Sequence, residues 1–147
     1  MEAVPMIASG LFAGAALSVS IAEHPARQDI DPEQAVRQFK KSYKQIAPLQ
    51  AGLALIASGT SLYLASKSGD QSRKIYLAAG LSMAAMLPYT VICIFPTNNR
   101  LMSAEKKEDA EVKRLFGKWE KLHAVRTIVG TLAFAGITIA ALQSSKK

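Results

Sequence analysis

Residues 75–99, IYLAAGLSMAAMLPYTVICIFPTNN, decide the fold, because the whole stretch contains no Asp, Glu, Lys or Arg. A helix rising 1.5 Å per residue needs roughly 20 such residues to cross a hydrocarbon core. Three further runs, Ala3–Ala22, Ile46–Ser66 and Thr127–Ser145, are uncharged in the same way. Lipid offers the backbone no hydrogen-bond partners, so a spanning segment must be a helix or part of a closed barrel. These runs are too long and too continuous for barrel strands. The expected fold is all-α: an integral membrane four-helix bundle with spans near 3–22, 46–66, 75–95 and 122–143. All four fall in a single membrane domain, residues 1–147.

A chain of 147 residues has no room for a separate catalytic module. It carries 18 basic against 11 acidic residues, a formal charge of +7. On a soluble protein that excess would suggest nucleic acid. Here the basic residues flank apolar runs, which points to membrane lipids as partners and away from nucleic acid. The first run follows no basic leader and is too long for a typical signal h-region, so it is expected to remain as a span. Cys93, the single cysteine, lies inside the third run and has no internal partner for a disulfide. No CxxC motif, Gly-rich phosphate loop or nucleophile elbow occurs in the sequence.

The loops alternate in charge. Twelve basic residues, from Arg27 to Lys44 and from Arg100 to Lys121, lie in the first and third loops. Five lie on the opposite face: Lys67, Arg73, Lys74, Lys146 and Lys147. Basic excess marks the cytoplasmic side, so loops one and three are expected there, with both termini outside. Ser68-Gly69-Asp70 reads as a tight turn between spans two and three. His24 then ends span one, Thr97-Asn98-Asn99-Arg100 end span three, and His123 and Arg126 begin span four. All share one membrane face whichever way the chain inserts.

Gly10 and Gly14 form a GxxxG spacing, which permits close helix approach and also a helix-mediated oligomer. The same face continues through Leu17 and Ile21 to His24, and inward packing of that face would carry His24 inward. Span four has a comparable stripe in Trp119, His123, Arg126, Gly130 and Ala133. Pro88 removes a backbone donor and is expected to kink span three, opening a cavity. In the third loop Ser103 can cap a helix, Glu105 and Glu108 suit its first turns, and Val112, Leu115, Phe116, Trp119 and Leu122 form an apolar stripe. It is expected to be a surface amphipathic helix before the fourth span. Pro32–Gln45, with Val36, Phe39 and Tyr43, is a weaker counterpart in the first loop.

Each polar residue has an ordinary explanation. His24 precedes Pro25 and can simply terminate a helix. Arg126 can snorkel to phosphates, Trp119 can anchor at the interface, and Asn98 and Asn99 can cap backbone groups. Together, His24, Asn98, Arg100, His123 and Arg126 form a candidate site, because ionisable groups at membrane depth are costly. A neutral imidazole can take a proton near pH 7, and Arg and Asn donors can stabilise an oxyanion. Trp119, Phe95 and Tyr89 can line a pocket for a flat aromatic ligand. A metal held by His24, His123 and Glu23 or Glu120 would match no established ligand spacing. A transporter is disfavoured by the absence of a clear internal repeat or a mid-membrane charge.

Three segments carry a family resemblance. They are Gly10-Leu11-Phe12-Ala13-Gly14-Ala15 through Glu23-His24-Pro25, Leu87-Pro88-Tyr89-Thr90 through Phe95-Pro96-Thr97-Asn98-Asn99-Arg100-Leu101, and Trp119-Glu120-Lys121-Leu122-His123-Ala124-Val125-Arg126-Thr127. In order and spacing they resemble the DUF1772, or anthrone oxygenase-like, family of small membrane proteins. The resemblance implies a four-helix membrane fold. In the fungal polyketide branch it implies oxidation of anthrones to anthraquinones by molecular oxygen, with no metal or flavin cofactor. The candidate site suits that chemistry, with His24, His123, Arg126 and Asn98 as catalytic residues. Trp119, Asn99, Arg100, Tyr89 and Phe95 would contact the hydrophobic aromatic substrate. The competing reading is a non-catalytic membrane protein whose polar cluster is structural or binds lipid or a small ligand. In a eukaryotic cell the endoplasmic reticulum would be the expected membrane.

Overall fold

The computed structural model describes residues 1–104 and 107–144. Expectations placed on Glu105, Lys106, Ser145, Lys146 and Lys147 lie outside the described residues. Four long helices make up the fold: α1 (Ala3–Gln28), α2 (Pro32–Lys67), α3 (Asp70–Met102) and α4 (Asp109–Ser144). Each is long and apolar enough to cross a membrane, the architecture of a multi-pass membrane protein. Large apolar side chains such as Ile7, Leu11, Ile21, Leu55, Ile92, Ile128, Leu132 and Leu142 face outward, as lipid contact requires.

Residues 29–31 and 68–69 are the whole of the first two connections, which leaves antiparallel neighbours as the only arrangement. Helices α1 and α3 each pack against both α2 and α4, closing an up-down-up-down bundle. The Asp31 carboxylate accepts from the Glu33 and Gln34 amides at 3.0 and 3.4 Å, starting α2 just after the first turn.

The helices outrun their apolar runs at one end. At 1.5 Å per residue the 36 residues of α2 extend about 54 Å, against a hydrocarbon core of about 30 Å. The excess forms a helical head with its own core of Val36, Phe39, Leu101, Val112, Leu115, Phe116 and Trp119. The segment expected to lie on the membrane surface is instead the first turns of α4. Its apolar stripe meets the Val36–Phe39 stripe of α2, so protein rather than lipid covers it. Burying a side chain such as Phe39 or Phe116 there contributes roughly 1.5–3 kcal/mol. Ser103 does not cap α4: its hydroxyl donates to the Asn99 and Arg100 carbonyls at 3.1 and 3.2 Å and closes the end of α3.

Two π-helical turns, Val19–Glu23 and Thr90–Ile94, interrupt α1 and α3. Each directly precedes an X-Pro pair, His24-Pro25 or Phe95-Pro96. The His24 amide donates to Val19 and the Phe95 amide to Thr90, both five residues back. Widening the turn accommodates a proline that lacks an N–H and would crowd the carbonyl four residues earlier. Helix α1 therefore does not end at His24; it continues to Gln28. The Gly14–Leu17–Ile21 face does not carry His24 inward either. Gly14, Leu17 and Ile21 are exposed, while His24 is buried. The added residue of the π turn rotates His24 away from the outward line and into the bundle.

Helix contacts also differ from the GxxxG expectation. Gly14 has open space around it, whereas Gly10 lies under the Phe134 ring. The tightest approach is at Gly130 of α4, where a Cβ would stand 2.7 Å from two ring carbons of Phe12.

Candidate active site

Trp119 organises the polar centre of the head. Its indole N–H donates to Asn98 Oδ1 at 2.8 Å, tying α4 to the end of α3. The His123 ring stacks on it at 4.6 Å with an interplanar angle of 8°. His24 packs against the same indole at 5.2 Å and 38°, and the Phe39 edge meets it at 5.5 Å. Both histidines are thus gathered at one residue from opposite ends of the sequence.

The two imidazoles are not equivalent. His123 Nε2 lies 3.3 Å from the Ala16 carbonyl, which can only accept, so Nε2 carries the proton and Nδ1 is the basic nitrogen. Thr127 also donates to Ala16 O at 3.3 Å. His24 Nε2 contacts Gln28 Nε2 at 3.1 Å, and its Nδ1 is buried without a partner. Glu120 Oε2 lies 3.8 Å from His24 Nε2.

Arg126 sits above the Phe12 ring at 5.4 Å. One of its terminal nitrogens donates to Thr90 Oγ1 at 3.2 Å and the other to Gln50 Oε1 at 2.7 Å. A second arginine, Arg27, is almost wholly buried. It donates to Glu23 at 2.5 Å and also to Gln38, and its guanidinium lies 5.3–5.8 Å from the Phe39, Phe116 and Trp119 rings. Gln38 closes the network by donating to Glu23 at 3.0 Å. Removing either partner of this pair would leave the other's charge uncompensated, and for Arg27 that charge is buried among aromatic rings.

Two voids lie on the Arg126 side of this cluster. The smaller, about 40 Å³, is bordered by Glu23, Arg27, Asn98, Trp119, His123 and Arg126, among others. The larger, about 280 Å³, is mainly apolar, with Phe12, Ala51, Met86, Leu87, Val91 and Phe95 in its wall. Tyr43, Ala47, Gln50 and Arg126 border both, so they form the seam between them. Leu87 directly precedes Pro88, and Thr90 and Val91 belong to the π turn of α3, so the larger void lies beside this proline.

Of the candidate residues, Asn98, Trp119, His123 and Arg126 border the smaller void, and Phe95 borders the larger. His24 belongs to the cluster but borders neither void. Three other candidates border neither void. Asn99 and Arg100 are exposed, and Arg100 pairs with Glu111 at 3.1 Å on the outside of the head. Tyr89 donates to the Leu122 carbonyl at 3.0 Å, bracing α3 against α4 rather than lining a void. Among the described residues no three His, Cys, Asp or Glu side chains are grouped to hold a metal ion.

No motif in the sequence marks Arg27 or Gln50 as part of the site. Arg27 looked like one more basic loop residue, although its spacing from Glu23 allows an i,i+4 pair. Gln50 was visible only as a long polar side chain in an otherwise apolar run.

These features define a class: a multi-pass membrane protein whose helices enclose an aromatic and apolar chamber edged by one imidazole and two guanidinium groups. The chain belongs to the anthrone oxygenase family, whose profile matches residues 38–136, and is by that membership an oxidoreductase. An anthrone oxygenase of Claviceps purpurea is 30% identical over 92% of this chain and 87% of its own length. An anthrone oxygenase of Cryptosporiopsis sp. is 28% identical, covering 88% of this chain and 81% of the relative. A noranthrone monooxygenase of Aspergillus flavus is 25% identical over 92% and 74%. No solved structure matches the chain.

Proposed function

We propose that this protein oxidises the methylene of a flat tricyclic anthrone to the quinone carbonyl with molecular oxygen. The observation that carries this reading is the pair of neighbouring voids that share Tyr43, Ala47, Gln50 and Arg126 as wall residues, with His123 and Asn98 on the polar side and an apolar slot on the other. Pockets for drug-sized ligands start at about 300 Å³, so the larger void suits the outer ring of a compact tricycle. The central ring lies across the seam. His123 and Arg126 are one helical turn apart, with Cβ atoms about 5–6 Å apart, which suits a methylene and a ketone on opposite corners of one ring.

His123 Nδ1 removes a methylene proton, and the Ala16 carbonyl holds the ring in the required tautomer. The electron pair left behind delocalises onto the ketone oxygen, where Arg126 supplies positive charge. The indole bond fixes Asn98 Oδ1, leaving its NH₂ group as a further donor on the chamber wall. The electron-rich enolate reduces oxygen directly, so the chemistry calls for no metal or flavin. One oxygen atom becomes the new carbonyl, the other leaves as water, and two ring hydrogens are lost. His24 supports Trp119 and is not the base.

The test is oxygen uptake and anthraquinone formation by the purified chain in detergent, with spontaneous anthrone oxidation subtracted. His123→Ala is expected to lower turnover by about 10²–10⁴-fold. His24→Ala should cost much less, because His24 borders neither void. An unchanged rate in folded His123→Ala would refute the mechanism. Absence of turnover across several anthrones would favour a purely structural or ligand-binding cluster.

A further inference from the structure

We propose, building on the anthrone-oxidising reading above, that Gln50 is a substrate-binding residue that receives the ketone oxygen jointly with Arg126. Gln50 is only 3% exposed, yet it lies on the second helix within an otherwise apolar run. Its orientation is fixed by chemistry. A guanidinium has no acceptor, so the group 2.7 Å from the Arg126 terminal nitrogen must be the amide oxygen. The Gln50 NH₂ group is therefore turned away from Arg126, and it has no hydrogen-bond partner. Arg126 Nε is buried and without a partner as well.

Buried donors are almost always satisfied in folded proteins, so two orphans on side chains bonded to each other call for a shared acceptor. Both residues stand on the seam between the two voids, where the central ring is placed. Glu23 is already engaged by Arg27 and Gln38, so the nearest carboxylate on the smaller void has partners of its own. An aryl ketone oxygen, which gains negative charge as the enolate forms, has the chemistry to accept from both donors. Two N–H donors in a desolvated pocket favour that oxygen over any hydrocarbon edge of the same ligand. Because the Gln50 carbonyl also holds the Arg126 fork, one side chain orients the cation and completes the oxyanion site.

The experiment uses the full chain in detergent and the emission of Trp119, the only tryptophan, which borders the smaller void. Anthraquinone and anthracene serve as flat tricyclic probes, with and without ring oxygens. Wild-type protein should bind anthraquinone more tightly than anthracene. Gln50→Leu should weaken anthraquinone binding roughly 3- to 10-fold while leaving anthracene unchanged, the loss expected for one uncharged hydrogen bond. Where Gln50→Leu does not fold, Gln50→Asn keeps the amide but withdraws it by one methylene and should shift the same ratio. A ratio unchanged from wild type in a folded variant overturns the assignment, even if wild-type protein oxidises anthrones. No anthrone turnover by wild type would instead remove the underlying reading, and this assignment with it.

Discussion

Gly130→Ala offers a graded test of how the bundle holds its site. The new methyl would stand 2.7 Å from Cδ1 and Cε1 of Phe12, about 1 Å inside a normal carbon–carbon contact of roughly 3.5–4.0 Å. Phe12 cannot swing clear, because it is fully buried and the Arg126 guanidinium lies over its ring. Overpacking of this kind costs about 1–3 kcal/mol, and replacing a helical glycine returns up to about 1 kcal/mol. The expected net loss is therefore roughly 0–2 kcal/mol. Turnover should fall further than stability, since Phe12 supports Arg126 and borders the larger void. Gly14→Ala is the internal control: nothing lies within 4 Å, so it should be neutral or slightly stabilising. Gly10→Ala should fall between, with the Phe134 ring edge at 3.0 Å and only half-buried. Thermal unfolding in detergent, read by Trp119 emission, orders the three. Phe12→Leu combined with Gly130→Ala should recover part of the loss by vacating the space. Equal behaviour of the Gly130 and Gly14 variants would refute the packing of α1 on α4.

Arg27→Met keeps the long side chain but strands Glu23, whose side chain is 28% exposed, so a loss of about 2–4 kcal/mol is expected, below the full cost for a buried pair. Adding Glu23→Gln should restore part of it; an unchanged melting temperature in the single variant would contradict the network. For topology, cysteines introduced at Gln71 and Ser103 in a Cys93-free background should label from opposite sides of the membrane. Charge bias puts Ser103 on the cytoplasmic side, and labelling of both from one side would overturn the arrangement.

The number of helices, their antiparallel order and the membrane face that collects the polar residues are all legible in the sequence. Those properties depend on local facts: uncharged runs of spanning length, short turns, and helix ends that topology must place together. The α4 stripe was legible for the same reason, since an unbroken helix repeats its face and puts Trp119, His123 and Gly130 in register. Which polar side chains are buried, and against what, depends instead on how the helices pack. The π turn before Pro25 rotated His24 off the line that its sequence spacing defines. Arg27 became a buried cation because the stripes of α2 and α4 met each other instead of lipid. Arg100 was drawn outward by Glu111, and Gln50 gained its role from an arginine on another helix. Periodicity records the face a residue occupies on its own helix; burial of a charge depends on what other helices bring to meet it, and no local pattern encodes that.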